Sequence, residues 1–325
     1  MPANVLFLDG PPAPYEIEER ILAEAGARLI HRTASSPESE RDRLLAETDA
    51  VLCDSYPVTA EIMERAPRLR IISVYGIGYD SVDVGAASAR GIWVTNVPGF
   101  CANEVADHTL ALLLAASRRL LALDRSVRAG EWQPEAVAAG ASRLSTQCLG
   151  LIGFGNIGRG VARRAIGFGL RVLVYSPHTT PELARSLGAE RVELADLLAA
   201  SDYISLHLPA TPETRGLVDP ALLARCKPTA WLINTARGSI VDESALLDAL
   251  RTGRLAGAAL DVRRTEPAPA NDPFRDLPNV ILTPHAAYYS ERSIGELRAR
   301  AARNVALALT GNHPDSPVNS PAAHG

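Results

Sequence analysis

The sequence predicts an α/β protein with two domains, each built on a doubly wound parallel sheet. Short apolar strand candidates alternate with helical stretches along most of the chain, as in parallel sheets covered by helices. The 325 residues exceed what one hydrophobic core usually serves. The turn-forming run Asn96-Val97-Pro98-Gly99 ends the first series of elements, and a second series of strands begins at Leu149.

The first series occupies residues 1–99. Its apolar runs predict five strands, with four helices between them. The predicted strands are Val5–Leu8, Arg28–His31, Ala50–Cys53, Leu69–Val74 and Ile92–Thr95, and the predicted helices are Glu16–Ala25, Ser39–Ala46, Thr59–Ala66 and Val84–Arg90.

A long apolar helix from Ala102 to about Arg119 leads into the second series, whose near-continuous apolar runs are typical of a sheet covered on both faces. The last helix, about Ser290 to Leu309, lies beyond the final strand, and we expect it to return to the first domain. The predicted domains are residues 1–99 with 290–325, and residues 100–289. The predicted strands of the second are Leu149–Ile152, Arg171–Tyr175, Tyr203–Leu206, Ala230–Asn234, Gly257–Leu260 and Val280–Thr283.

The pattern Gly153-x-Gly155-x-x-Gly158 follows an apolar strand and opens a helix. The first glycine permits a tight turn, the second lets the backbone approach a pyrophosphate, and the third lets helix and strand pack closely. The helix N-terminus, with the N–H groups of Asn156 and Ile157, then favours the negative phosphates. This context predicts a Rossmann-type domain that binds a dinucleotide. The alternative is a glycine-rich turn in an α/β protein that binds no ligand.

Composition excludes several other classes of function. The formal net charge of −4 gives no electrostatic reason to expect a nucleic acid or an anionic membrane as partner. The N-terminus lacks the features of a signal peptide, and no apolar run reaches the roughly 18 residues of a spanning helix. The scattered cysteines indicate neither a metal site nor a disulfide framework, so we expect a cytoplasmic location. They are Cys53, Cys101, Cys148 and Cys226.

Lys227 is the one lysine of the chain. No lysine follows the glycine motif, so a phosphate-transferring P-loop is excluded. The Tyr-x-x-x-Lys pair of another class of nicotinamide enzymes is absent for the same reason. A proton transfer in this protein therefore depends on a histidine or a carboxylate.

Polar residues follow three predicted strands of the second domain, at the sheet edge where ligands of open α/β sheets bind. Arg237, Glu266 and His285 supply a cation, a carboxylate and an imidazole. Oxidation of a hydroxyacid needs this set: arginine holds the substrate, histidine takes the hydroxyl proton, and the carboxylate orients the histidine. His108, on the long apolar helix, is instead expected to be a hydrogen-bonded core histidine.

These motifs resemble those of the D-isomer-specific 2-hydroxyacid dehydrogenases over essentially the whole chain. Within that family, Thr283–Glu291 and Pro314-Asp315-Ser316 are most similar to the branch of the C-terminal-binding protein corepressors and their bacterial relatives. The motifs that carry the resemblance are Tyr75–Asp80, Gly153–Gly158, Asn234–Gly238, Asp261, Glu266-Pro267 and His285.

The resemblance implies a flavodoxin-like substrate domain beside the Rossmann-type domain, with a cleft between them, and a homodimer built on the glycine-motif domain. By this resemblance Arg237, Glu266 and His285 carry catalysis, and backbone amides of Ile77 and Gly78 hold the substrate carboxylate. Tyr288 is also assigned to the substrate. The residues assigned to the cofactor are Gly153, Gly155, Asn156, Ile157, Gly158, Ser176, His207, Thr235, Ala236, Asp261, which would hold the nicotinamide carboxamide, and His285.

The chain departs from the family pattern at three positions. Ser176 stands where an NAD-binding domain of this type has an acid that reads the ribose. A serine can hydrogen-bond a ribose hydroxyl and does not repel a 2′-phosphate, but no arginine follows immediately to attract that phosphate, so NAD(H) is favoured and NADP(H) stays open. His178-Thr179-Thr180 are the nearby polar groups. Val74 replaces an arginine, and Tyr288 replaces a tryptophan of the corepressor branch. The substrate side chain is therefore open.

Three functions remain as alternatives. The first is a dehydrogenase working as a 2-oxoacid reductase, and the second is an NAD(H)-gated binding scaffold of the corepressor kind. A short stretch after the last helix favours the enzyme over a corepressor with a long tail. The third, a 3-phosphoglycerate dehydrogenase, is disfavoured because no additional basic residues lie near Gly76–Gly78 and no regulatory domain is seen.

Overall fold

A computed structural model describes residues 2–10, 13–31 and 38–321, and the chain divides into two units. Unit 1 runs from the N-terminus to Phe100 and resumes at Ser290, and unit 2 comprises Cys101–Tyr289. The boundary after Phe100 lies one residue beyond the predicted boundary after residue 99. The boundary between Tyr289 and Ser290 lies where it is predicted. Residues 322–325 of the predicted first domain lie outside the described residues.

Unit 1 contains a five-stranded parallel sheet in the order β2-β1-β3-β4-β5. In two of the five strands, β3 and β4, every residue is buried, as expected for a sheet covered on both faces. The strands are β1 (Ala3–Phe7), β2 (Ala27–His31), β3 (Ala50–Cys53), β4 (Ile71–Val74) and β5 (Trp93–Thr95), and the helices before unit 2 are α1 (Glu16–Glu24), α2 (Glu38–Ala46), α3 (Ala60–Glu64) and α4 (Val84–Ala89).

The last helix, α13 (Glu291–Leu309), belongs to unit 1 and packs against β4 and α1. Ser290 caps its N-terminus by accepting a hydrogen bond from the N–H of Ser293, whose side chain accepts from the N–H of Ser290 in return. Ser73 in β4 donates a 3.1 Å hydrogen bond to the carbonyl of Ala301. The helix therefore completes one face of the unit 1 sheet.

Unit 2 contains a seven-stranded parallel sheet in the order β12-β11-β10-β9-β6-β7-β8. Successive residues of β9 enter different cores: Ile204 and Leu206 belong to the cluster on one face, and Tyr203 to the cluster on the other. The strands are β6 (Cys148–Ile152), β7 (Arg171–Tyr175), β8 (Glu190–Arg191), β9 (Tyr203–Leu206), β10 (Trp231–Asn234), β11 (Gly257–Leu260) and β12 (Val280–Leu282).

The helices of unit 2 cover this sheet, and α5 packs against α8. Strand β6 lies between β7 and β9, so the chain turns in opposite directions on its two sides. Ligands of open α/β sheets bind at such a switch point. The helices are α5 (Ala102–Ser117), α6 (Leu120–Arg128), α7 (Pro134–Val137), α8 (Asn156–Gly167), α9 (Pro181–Ser186), α10 (Leu194–Ala200), α11 (Pro220–Leu223) and α12 (Glu243–Arg251), with 3₁₀ turns at Leu144–Thr146 and Gly238–Ile240.

The predicted fold class, two doubly wound parallel-sheet α/β domains, is confirmed. The bounds of the predicted strands differ from the observed ones by at most two residues. The sheet of unit 2 has one strand more than predicted, because β8 is a two-residue strand of charged residues and gives no apolar signal. Among the described residues, no helix is long and apolar enough to cross a membrane.

Candidate active site

The glycine motif forms a tight turn between β6 and α8. Gly153 has a φ of +98°, and a Cβ there would lie 2.1 Å from the carbonyl oxygen of His207. A Cβ on Gly158 would lie 2.5 Å from the carbonyl oxygen of Gly153. Around Gly155, by contrast, a Cβ would meet nothing within 4 Å. The first and third glycines are therefore required by the fold, and the second faces open space.

That open space lies at the N-terminus of α8, where a dinucleotide pyrophosphate fits. No side chain among the described residues caps this helix, and its first turn contains no acid. The N–H groups of Asn156 and Ile157 therefore belong to the unsatisfied donors of a helix start. Arg159 adds a cation beside them, with Nη2 2.8 Å from Oδ1 of Asn156. Donors, dipole and charge all suit a phosphate anion.

The turn after β7 contains Ser176, which is 9% exposed. Thr179 is also buried, and Thr180 accepts a 3.2 Å hydrogen bond from the N–H of Leu183 as the cap of α9. Two of the three polar residues expected near a 2′-phosphate therefore serve the protein's own structure. Residues 176–182 include no lysine or arginine and do include Glu182. The turn thus offers little to a second phosphate.

His207 follows β9 and lies against the glycine turn through its backbone. Its Nε2 is 2.9 Å from Oγ of Ser205. Burial lowers the pKa of His207 to about 4, so the imidazole is neutral near pH 7. The residue can exchange hydrogen bonds with a cofactor, but it carries no charge for phosphate.

His285 and Glu266 form the central pair of the site. Nδ1 of His285 lies 2.6 Å from Oε2 of Glu266. The other carboxylate oxygen, Oε1, accepts a 2.7 Å hydrogen bond from the N–H of Arg263. The two side chains are 42% and 35% exposed, so the pair is open to a ligand on one side. His285 has a φ of +53°, a left-handed conformation that is unusual for a residue with a side chain.

The charges of this pair support each other. The hydrogen bond to Glu266 raises the pKa of His285 above its ordinary value, against the effects of burial and of the Arg237 charge. Burial acts to raise the pKa of Glu266, but the hydrogen bonds from His285 and from the Arg263 N–H outweigh it and lower that pKa. An imidazolium beside a carboxylate is therefore the favoured state over a wider pH range than for a free histidine.

Arg237 lies directly beyond β10, in a turn held by Asn234. Nδ2 of Asn234 donates to the carbonyl of Arg237 at 2.9 Å, and Oδ1 accepts from the N–H of Ala236 at 3.0 Å. Nη1 of Arg237 donates to the carbonyl of Ala236 at 2.8 Å. Thr235, in the same turn, is buried with Oγ1 3.0 Å from Oγ1 of Thr109. Because the Arg237 charge lowers the pKa of both Glu266 and His285, its guanidinium lies within electrostatic reach of the pair.

Asp261 organises the turn that carries His285. Oδ1 accepts hydrogen bonds from Oγ1 of Thr283 at 2.6 Å and from the N–H of Ala286 at 2.9 Å, and Oδ2 accepts from the N–H of Ala287 at 3.0 Å. Its carbonyl accepts from the N–H of His285 at 2.7 Å. A carboxylate has about four acceptor positions. Three of them are used within the protein, and the Asp261 side chain is 1% exposed.

His108 is a residue whose place the sequence reasoning missed. Its Nε2 lies 3.0 Å from Oγ1 of Thr283 and 3.6 Å from Oδ1 of Asp261, so it supports the His285 turn instead of filling a core. Because the Thr283 hydroxyl donates to Asp261, its oxygen accepts from Nε2–H of His108. The two residues are 175 positions apart in sequence, and no local pattern announces their contact.

Of the four residues assigned to the substrate, Ile77 and Gly78 belong to unit 1, and Arg237 and Tyr288 belong to unit 2. Ile77 and Gly78 follow β4 in unit 1, where Nδ2 of Asn96 donates a 2.6 Å hydrogen bond to the carbonyl of Ile77. Tyr288 lies in unit 2 with its ring edge-on to His285, at 6.0 Å between ring centres and 86° between planes. Among the described residues, no group of histidine, cysteine, aspartate and glutamate is arranged to hold a metal ion.

Comparison with known proteins identifies relatives that are named as hydroxyacid reductases and dehydrogenases. The chain is 43% identical over 265 residues to a glyoxylate reductase of Korarchaeum cryptofilum, which covers 81% of this chain and 80% of that protein. It is 41% identical over 302 residues to a D-3-phosphoglycerate dehydrogenase of Mycobacterium tuberculosis, covering 92% of this chain and 56% of the relative. The chain thus spans little more than half the length of that dehydrogenase.

Solved structures extend the likeness to the fold. The structure of D-lactate dehydrogenase from Aquifex aeolicus, complexed with NAD and lactic acid, superposes with a TM-score of 0.88 at 30% identity. It covers 98% of this chain and 100% of that one. The profile of the D-isomer specific 2-hydroxyacid dehydrogenase NAD-binding domain matches residues 110–287, more than half of the chain and nearly all of unit 2. By this match and by the identity to its relatives, the chain belongs to the D-isomer specific 2-hydroxyacid dehydrogenase family.

Proposed function

We propose that the protein interconverts a 2-oxoacid and a D-2-hydroxyacid with NAD(H), and that His285 is the acid and base of the reaction. The observation that carries this proposal is the 2.6 Å hydrogen bond between Nδ1 of His285 and Glu266. It occupies Nδ1 of the ring, so that Nε2 is the nitrogen proposed to face the substrate. Family membership supplies the reaction class, an NAD-dependent oxidoreduction of hydroxyacids.

The roles of the protein's own groups follow from this geometry. When bound, the nicotinamide supplies or accepts the hydride. Among the described residues Nε2 of His285 has no hydrogen-bond partner, so it is free to donate a proton to the 2-oxo oxygen during reduction, or to accept the hydroxyl proton during oxidation. Glu266 stabilises the imidazolium that exists on one side of each direction.

Arg237 holds the substrate in this proposal. A guanidinium presents a rigid fork of donors that matches a carboxylate or a carboxylate–carbonyl pair. Backbone amides of Ile77 and Gly78 are proposed to hold the substrate carboxylate, and Tyr288 to lie beside it. The edge contact of Tyr288 with His285 supports this last assignment.

The cofactor residues are proposed from the same reasoning. The turn with Gly153, Gly155 and Gly158 and the N–H groups of Asn156 and Ile157 would hold the pyrophosphate. Ser176 would contact the adenosine ribose without a charge, which favours NAD(H) and leaves NADP(H) as a weaker ligand. The remaining residues proposed to contact the cofactor are His207, Thr235, Ala236, Asp261 and His285.

The test is a panel of 2-oxoacids with NADH and with NADPH, followed by the loss of absorbance of the reduced cofactor. Glyoxylate, pyruvate and 3-phosphohydroxypyruvate belong in the panel, because relatives of this chain include a glyoxylate reductase and a phosphoglycerate dehydrogenase. We expect turnover of at least one 2-oxoacid. An enzyme that binds NADH and reduces none of them contradicts the proposal.

That contradictory result would favour the alternative, an NAD(H)-gated binding scaffold resembling the C-terminal-binding protein corepressors. Support for that branch comes from the segments Thr283–Glu291 and Pro314–Ser316. In this alternative the triad Arg237, Glu266 and His285 is retained but serves mainly to bind. The enzyme is preferred because its relatives include dehydrogenases and reductases of hydroxyacids.

We also propose a homodimer built on unit 2 and a cytoplasmic location. Helix α6 and the segment after it expose large apolar side chains, which is typical of a surface that a partner covers. The four cysteines are all buried and free, which suits a reducing compartment. Light scattering on the purified protein tests the dimer. The exposed side chains are Leu120, Leu121, Val127 and Trp132.

A further inference from the structure

We infer that Arg263 is a positioning residue for the catalytic pair, because its side chain anchors the loop whose backbone holds Glu266 in place for His285. The inference rests on the proposed function of His285 as acid and base. Arg263 lies two residues beyond Asp261, in the loop that follows β11. Among the described residues, its side chain forms hydrogen bonds to Glu243 and Asp272, and its backbone N–H forms the hydrogen bond to Glu266.

The guanidinium of Arg263 binds two carboxylates at once. Nε and Nη2 donate to Oε1 and Oε2 of Glu243 at 2.9 and 3.1 Å, and both terminal nitrogens bond to Asp272. The charge also lies over the ring of Phe274, 4.4 Å from its centre. The Arg263 side chain is 10% exposed and that of Asp272 1%, so solvent screens this network little. The loop is therefore tied to helix α12 and to the segment before β12.

The backbone of the same loop carries the catalytic geometry. The N–H of Arg263 donates a 2.7 Å hydrogen bond to Oε1 of Glu266, and Oε2 of Glu266 pairs with His285. The N–H of Arg264 donates at 2.8 Å to Oε1 of Glu243, the oxygen that also accepts Nε of Arg263. The Glu243 carboxylate thus binds the loop at two points, the side chain of Arg263 and the backbone N–H of Arg264. A loop held at both points presents one N–H to Glu266 in a fixed direction.

The peptide between Arg263 and Arg264 also rests on the residue that follows Arg237. A Cβ on Gly238 would lie 2.0 Å from the carbonyl carbon of Arg263 and 2.4 Å from the nitrogen of Arg264. This peptide is therefore in direct contact with the arginine-bearing turn. The Arg263–Arg264 peptide thus packs against Gly238, next to Arg237 in sequence, and the N–H of Arg263 binds Glu266.

A structural anchor and a positioning residue differ in what their loss changes. Loss of an anchor lowers the folded fraction, which scales the rate equally at every pH. Loss of positioning weakens the Glu266 contact and so changes the pKa of His285. The charged groups that face His285 are Glu266, Arg237 and Asp261. Weakening the first of these contacts lowers the pKa, because Glu266 is the group that raises it most.

The experiment is a double-mutant cycle with the variants Arg263→Met and Glu266→Gln, read from the pH dependence of kcat/KM for reduction. Reduction needs protonated His285, so the rate falls as the pH rises through its pKa. We expect Arg263→Met to move this alkaline limb to lower pH by up to about one unit, in the same direction as Glu266→Gln. In the Glu266→Gln background, Arg263→Met should move it no further.

Three results decide between the outcomes. A uniform loss of rate with an unmoved limb, or shifts that add in the double variant, overturns the inference. An unmoved limb in Glu266→Gln itself overturns the proposed role of His285 instead, so the two failures are distinct. Lys227→Met is the matched control, since it breaks the 2.9 Å ion pair with Asp202, which precedes β9 at the amino ends of the strands, whereas His285 and Glu266 follow the carboxyl ends. Its limb should match the parent.

Removing Arg263 leaves the buried carboxylate of Asp272 and the partly exposed carboxylate of Glu243 without their cation, which reduces the yield of folded protein if the effect is large. Glu243→Gln provides the same comparison with a smaller change, because an amide oxygen in place of Oε1 still accepts from Nε of Arg263 and from the N–H of Arg264, and only the acceptor of Nη2 is lost. We expect it to shift the limb in the same direction by less. NADH binding, measured by fluorescence, reports the folded fraction of each variant. A Glu243→Gln protein that binds NADH normally with an unmoved limb contradicts the inference.

Discussion

Nδ1 of His285 and Oε2 of Glu266 are 2.6 Å apart, and this contact leaves Nε2 as the imidazole nitrogen for the proposed proton transfer. A carboxylate with a pKa below its ordinary value is an acceptor, so the neutral imidazole carries its proton on Nδ1. Nε2 is then the nitrogen that gains and loses a proton in the reaction. The predictions below follow from this assignment and from the glycine turn.

Replacing His285 should remove turnover and spare cofactor binding. His285→Asn suits the test better than alanine, because asparagine tolerates the positive φ of this position. We expect kcat to fall by about 10²–10⁴-fold, the usual contribution of a placed acid or base. Steady-state rates and NADH fluorescence measure the two properties. His313→Asn, in unit 1, is the control, and equal rates in the parent and His285→Asn would contradict the assignment.

Glu266→Gln should do less damage than loss of His285 and should shift the pH profile. The carboxylate raises the pKa of His285, so its removal lowers that pKa. The alkaline limb of reduction then moves to lower pH, and so does the acid limb of hydroxyacid oxidation. Profiles of kcat/KM in both directions check the sign. A shift to higher pH is incompatible with the pairing.

Arg237→Lys should lower kcat/KM for the 2-oxoacid by an order of magnitude or more. Lysine keeps the charge but presents a point donor in place of the two-pronged fork. The loss should be seen at subsaturating substrate, with NADH affinity retained. Arg171→Lys is the control, since its exposed pair with Glu190 lies at the start of β7. Near-parental capture by Arg237→Lys would make Arg237 a structural residue.

Gly155→Ala should abolish tight cofactor binding without unfolding the protein. The position has a φ of −72°, and the added Cβ meets no protein atom within 4 Å, so the methyl group would project into the space proposed for the pyrophosphate. We expect NADH affinity to fall at least about tenfold, or 1.4 kcal/mol, with Tm unchanged or higher. Gly167→Ala, at the other end of α8 and equally unhindered, is the matched control. Unchanged affinity in Gly155→Ala would move the cofactor away from this turn.

Ser176→Asp should raise the preference for NADH over NADPH by about 1–3 kcal/mol through repulsion of the 2′-phosphate. The parent should prefer NADH only modestly, because Ser176 carries no charge and its turn contains no lysine or arginine. Titrations of both reduced cofactors measure the preference, with Ser176→Asn as an uncharged control of the same shape. A parent preference above about a thousandfold, roughly 4 kcal/mol, would mean that another residue selects the cofactor.

The elements that the sequence predicts best are those whose burial gives a continuous apolar signal. Strands β3, β7, β9 and β11 have the bounds expected from their apolar runs. Strand β8 lacks such a run: Glu190 and Arg191 pair with the backbone of β7, and the Glu190 side chain forms an exposed ion pair with Arg171. The sequence pattern reports the burial of apolar side chains, so it misses a short strand whose side chains are charged.

The candidate site shows the same division. The pairing of His285 with Glu266 is predictable because both residues stand in recognisable motifs. The structure brings them within 2.6 Å of each other. The contact of His108 with Thr283 and the ion pairs of Arg263 were not expected. Both join residues that are far apart in sequence or have no motif of their own. Such supporting contacts depend on how elements pack, which local pattern does not encode.

With His285 as the proposed acid and base, its left-handed backbone sets the stability of the fold against activity. A residue with a side chain held at positive φ costs about 1–2 kcal/mol, and glycine at the same place would relieve most of it. Asp261 offsets the strain with the hydrogen bonds that hold the turn. Selection for heat resistance alone would therefore favour replacement of His285 by glycine, because the replacement raises the free energy of unfolding. Inactive descendants of this enzyme would then be recognised by a missing histidine at 285 in an otherwise sturdier chain.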